Sequence, residues 1–115
     1  MATERDIEVI EDNDPLVVFT CKVDGAAINL SGAEVNFYLK PSKDTDEDDD
    51  SVVTYSTETG EITLRAQSGA TLGQLEVRMS ADDLGAPGKL RYRLDVIQSM
   101  MRTTYAYGRV VVINV

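Results

Sequence analysis

The 115-residue sequence contains no histidine, no tryptophan and a single cysteine. Without histidine, the chain lacks the commonest general base, the residue that activates serine or cysteine in the usual triads, and the favoured ligand of zinc and iron. Hydrolase mechanisms built on histidine are excluded. Cys21 cannot close an internal disulfide, so the chain is no disulfide-stapled secreted scaffold and suits folding in a reducing compartment. A cysteine nucleophile needs a neighbouring base to lower its pKa. Cys21 stands in the apolar stretch LVVFTCKV without one, and reads as a small buried hydrophobe.

Basic residues are also scarce, eleven against twenty acidic ones, for a formal net charge of −9. That sign opposes binding to nucleic-acid phosphates or to anionic membrane surfaces, so neither is expected as a partner. No apolar run approaches membrane-spanning length, and the opening residues, MATERDIEVIEDNDP, carry acids where a secretory leader would be basic and then apolar. Synthesis and folding in the cytosol are expected. Phosphate cradles are missing as well, because Gly69, Gly73, Gly85 and Gly88 lack the accompanying lysine and the strand-to-helix setting. No catalytic, cofactor-binding or metal-ligating residue is assigned, and no cofactor is expected.

What is present is a succession of short segments with a period of two. Residues 16–23 place Val17, Phe19, Cys21 and Val23 on one face. Asp24–Gly25 then reads as a hairpin turn leading to a short return strand over residues 26–30. In residues 33–40, Val35, Phe37 and Leu39 face inward and Glu34, Asn36, Tyr38 and Lys40 outward. Residues 51–56 and 61–66 flank a TETG turn, with the inward register of the first left open between Val52, Thr54 and Ser56 and the pair Val53 and Tyr55. Residues 74–80 turn Leu75, Val77 and Met79 inward, and Ser80 is suited to cap one helical turn carrying Asp82 and Asp83. The last part, residues 89–115, alternates Leu90, Tyr92, Leu94 and Val96 with Arg91, Arg93, Asp95 and Ile97, breaks over residues 98–102, and resumes as a β-branched strand.

About seven to nine short strands with no long amphipathic helix predict an all-β fold, an antiparallel β-sandwich, with a barrel as the geometric alternative. The length fits one domain over residues 15–115, preceded by a segment, residues 1–14, that is either frayed or strand-forming.

Two features bear on binding. Asp44, Asp46, Glu47, Asp48, Asp49 and Asp50 form an acidic run that cannot bury anything. It fails the calcium-loop pattern, which needs glycine where Asp49 stands and glutamate where Tyr55 stands. The second feature is the last hairpin, dense in residue types enriched at protein interfaces. Tyr92, Tyr105 and Tyr107 accompany Arg91, Arg93, Arg102 and Arg109, and the adjacent methionines lie at its tip. Met100, Met101, Arg102, Tyr105 and Tyr107 are the candidate interface residues.

The order of motifs carries a family likeness. A DG turn precedes INLSGAEVNFYLK (residues 28–40); TGEITL (residues 59–64), GKLRYRLDV (residues 88–96) and GRVVVI (residues 108–113) follow. This resembles the immunoglobulin-like N-terminal domain of phage baseplate upper proteins and related small tail and head accessory proteins of tailed phages. The resemblance spans roughly residues 16–115, while the acidic insert lies outside its pattern and the family's further domains have no counterpart in this sequence. It implies an immunoglobulin-like β-sandwich without catalytic residues. It also implies a non-enzymatic virion component whose partners are other virion proteins and a second copy of itself. The competing expectation is a carbohydrate- or calcium-binding adhesion module that uses the acidic loop.

Overall fold

The computed structural model describes residues 3–41, 52–85 and 88–113. The acidic run of residues 44–50 therefore lies outside the described residues.

The strands follow the apolar alternation. In chain order they are β1 (Thr3–Glu4), β2 (Ile7–Ile10), β3 (Leu16–Thr20), β4 (Lys22–Val23), β5 (Ala26–Ala27), β6 (Glu34–Lys40), β7 (Val53–Ser56), β8 (Ile62–Leu64), β9 (Gln74–Arg78), β10 (Gly88–Gln98) and β11 (Met101–Ile113). The single described α-helix is one turn, α1 (Ala81–Leu84), capped by the Ser80 hydroxyl, which accepts from the Asp82 amide. Its Asp82 and Asp83 occupy the favourable first turn. Among the described residues no helix is long and apolar enough to cross a membrane.

The fold is all-β and mostly antiparallel. One sheet runs β1-β11-β10-β6-β7, with β2 also on β11; a second runs β3-β9-β8; β4 and β5 form a small ribbon. The two larger sheets share one core. Phe19 of β3 lies 5.8 Å from Tyr92 of β10 and 6.2 Å from Phe37 of β6, ring centre to ring centre, and Phe37 stacks on Tyr92 at 5.2 Å. Val35, Leu75, Val77, Leu94 and Val110, all fully buried, fill the space around these rings. Aromatic pairs at such separations add roughly 0.5–1.5 kcal/mol each beyond their buried area.

Several boundaries differ from the sequence reading, each for a local reason. The segment before Pro15 is strand-forming: β1 and β2 pair in parallel with β11, burying Ile7 and Val9. The expected strand over residues 16–23 breaks at Cys21, whose amide donates to the Gly73 carbonyl and whose carbonyl accepts from the Ile28 amide. The return strand shrinks to Ala26–Ala27, and Leu30 reaches the core from a loop. That loop is held by Gln67, whose Oε1 accepts from the Leu30 and Gly73 amides while Nε2 donates to the carbonyls of Arg65 and Gln74. In β7 the register resolves to Tyr55 inward, and Ser56 is buried through bonds with Thr59. The break expected over residues 98–102 is only a two-residue turn, because β10 continues to Gln98 and β11 starts at Met101.

Candidate interaction surface on the long hairpin

β10 and β11 are the longest strands, and at about 3.3 Å per residue β10 is about 35 Å long, comparable with the 37 Å long axis of the molecule. Their turn consists of Ser99 and Met100, with φ of 53° and 65°. Both central residues are left-handed, the geometry that matches the twist of a hairpin and favours Asn-Gly or Asp-Gly. The turn at Asp24 and Gly25 has the same signs of φ and the residues that suit them. Ser-Met does not, since an unbranched apolar L-residue in this region costs about 1 kcal/mol. Met100 is 99% exposed and Met101 71%. Just behind them the Gln98 side-chain Nε2 donates to the Asn29 carbonyl, which braces the end of the hairpin.

The remaining three candidate residues have separate surroundings. An unbroken strand would put Tyr105 and Tyr107 on one face. The register shifts between Leu94 and Asp95, however: Leu94 pairs with Ala106 and Asp95 with Thr104, leaving Tyr105 as the extra residue of a bulge. Tyr105 consequently packs against the core and, with Phe19, Cys21 and Leu94, lines a cavity of about 120 Å³. Burial raises its phenol pKa. Tyr107 points to the other face, opposite Arg93, and is 40% exposed.

Arg102 turns back along the sheet. Its Nε donates to Asp95 Oδ2 at 2.5 Å, its Nη2 donates to the Tyr38 hydroxyl at 3.2 Å, and its guanidinium lies over the Tyr38 ring at 5.4 Å. Asp95 is the centre of this cluster. Its carboxylate also accepts from Arg93 Nε at 2.8 Å and from the Thr104 hydroxyl at 2.7 Å, and the residue is wholly buried although it belongs to the outer face of the sheet. Alternation places Asp95 outward but carries no sign that two arginines, a threonine and a tyrosine from three strands close over it. The outer face is accordingly not a plain solvated surface: Tyr38 and Lys40, expected outward, are on that face and buried.

The same register aligns cations that are distant in sequence. Lys40 lies opposite Arg91, and Arg91 opposite Arg109. Arg109 Nη2 donates to Asp6 Oδ2 at 2.8 Å, which holds the Asp6 carboxyl below its ordinary pKa. A sequence reading can collect Arg91, Arg93, Arg102 and Arg109 by type, whereas the row they form with Lys40 depends on pairing.

Elsewhere the polar groups serve packing. Burial pushes the Cys21 thiol up to about 11, which keeps it protonated and unreactive at neutral pH. The Tyr55 hydroxyl donates to Asp83 Oδ2 at 2.6 Å and accepts from the Ser80 amide, tying β7 to the cap of α1. Burial, reinforced by Asp83, raises its pKa far above the usual phenol range. Among the described residues no group of three or more potential metal ligands comes together. Comparison of the sequence with protein-family models and with curated proteins finds no match.

Proposed function

We propose that the protein is a non-enzymatic structural or interaction component of a tailed-phage particle, a baseplate, tail or head accessory protein. In this reading it is an immunoglobulin-like β-sandwich that acts through protein contacts made by the end of its long hairpin. The motif order over residues 28–113 supports the class, and the shared core of two mostly antiparallel sheets agrees with a sandwich.

The observation that carries the contact role is Met100. A residue that is apolar, almost completely exposed and held left-handed is unfavourable twice over in the isolated protein. Strained and exposed residues of this kind cluster where a partner completes the structure. Burying one methionine side chain in a partner's pocket contributes roughly 1.5–3 kcal/mol, enough to offset the strain. Met101 beside it enlarges the contact, and a methionine pair adapts readily to an irregular pocket.

The test is the content of phage particles released by the strain that encodes the protein. The wild-type chain should copurify with them at a fixed copy number, and replacement of both tip methionines should remove it while the purified variant stays folded. Absence of the wild-type protein from the particles would refute the assignment.

A further inference from the structure

The outer face of the hairpin sheet concentrates positive charge in a protein whose net charge is −9. Lys40, Arg91 and Arg109 stand side by side on β6, β10 and β11. Lys89, Arg91 and Arg93 follow one another at alternate positions of β10. Strand geometry sets the lateral steps at about 4.8 Å and the steps along β10 at about 6.8 Å. Like charges directly opposite one another destabilise a sheet, so the row calls for negative partners.

The described residues meet that demand only in part. Asp6 binds Arg109 and acts on Arg91 only through space, while Asp95 is taken up by Arg93 and Arg102. Lys40 and Arg93 make further contacts within the protein. The charge on offer is therefore chiefly that of Arg91, which forms no hydrogen bond among the described residues, with Lys89 exposed next to it. A cavity of about 180 Å³, lined by Lys40, Arg91, Tyr92, Arg93, Tyr107 and Gly108, opens at this point.

We propose that Lys89, Arg91 and the adjoining cavity seat the carboxylates of an extended acidic segment of a partner protein, one in which every second residue is acidic. The cations on β10 repeat with the same period as the side chains on one face of such a segment. A guanidinium presents parallel N–H donors that match a carboxylate, and exposed Tyr107 offers a flat wall beside it. Charge complementarity selects the occupant: the acidic remainder of the molecule repels a densely charged polyanion such as nucleic acid, whereas a short segment with spaced carboxylates meets mainly this face. The site is separate from the hairpin tip and does not depend on Met100.

Calorimetry on the full chain tests this with a synthetic peptide of alternating glutamate and threonine. The lysine-threonine counterpart and inorganic phosphate are the comparators. The glutamate peptide should bind and the lysine peptide should not. Arg91→Gln should weaken binding about tenfold, the loss of one charge-assisted bond of about 1.4 kcal/mol, and Met100→Gly should leave it unchanged. Lys89→Gln, at an exposed position, carries the same test should Arg91→Gln lower the melting temperature. Failure of the glutamate peptide to bind, equal binding by wild type and both charge variants, or tighter binding of phosphate than of peptide would each overturn the proposal.

Discussion

Asp95 shows how one residue organises a surface. A carboxylate with no exposed area must have its charge met, and Arg93, Arg102 and Thr104 do so with three bonds of 2.5–2.8 Å. Removing the charge while keeping the shape leaves donors aimed at a weaker acceptor. Asp95→Asn should therefore cost about 2–4 kcal/mol in urea denaturation. Arg102→Gln should cost less, about 1 kcal/mol, because its side chain is 44% exposed and water replaces part of what it loses. Equal losses for the two variants would mean that the pair, rather than the buried carboxylate, is the unit that matters. Met100 belongs to the same scale with the opposite sign. Met100→Gly relieves a left-handed φ of 65° and should raise stability by about 1 kcal/mol in the same measurement.

At the scale of elements, the N-terminal strands depend on a close approach to β11. A Cβ on Gly108 would collide with the Arg5 carbonyl oxygen and lie 2.8 Å from its carbon, with both atoms in the backbone. That carbonyl also accepts from the buried Tyr92 hydroxyl. Gly108→Ala should destabilise by about 1–3 kcal/mol and, more tellingly, speed hydrogen exchange of β2 amides while β6 and β9 stay protected. Uniform loss of protection across all strands would contradict a local role.

The same elements show what a sequence can and cannot display. The inward faces of β6, β9 and β10 were legible because each is a run of strict alternation, and the Ser80 cap was legible because its chemistry is local. The pairing of β2 with β11 was not, since Ile7 and Val9 make too short a pattern to outweigh a charged terminus. The bulge at Tyr105 was invisible as well, because nothing in YAYG marks which residue is extra. The candidate surface was legible as a collection of methionines, arginines and tyrosines. Its division into an exposed tip, a buried Asp95 cluster and an inward Tyr105 follows from register, which is a property of pairs of strands.

At the scale of the whole molecule, the buried acids set the response to alkali. Burial raises the Tyr92 phenol from its ordinary value of 10 to about 12 and the Cys21 thiol from 9 to about 11. The folded state thus holds these protons more tightly than the unfolded chain does. Their contribution to stability is complete below about pH 9 and is lost progressively as pH rises towards 12. The melting temperature should fall through that window, and Cys21→Ala should remove only the earlier part of the decline. A melting temperature flat from pH 9 to 12 would show that neither group is as buried as the core packing requires.

Contact through the end of the hairpin is the role proposed for the molecule as a whole. The most direct measurement is the copy number of the protein in purified phage particles from the encoding strain, compared between wild type and Met100→Gly/Met101→Ser, with each purified protein melted in parallel. We predict a fixed wild-type copy number, near-complete loss of the variant from the particles, and a variant melting temperature equal to or above that of wild type. Retention of the variant at the wild-type copy number would show that the tip methionines make no contact in the particle.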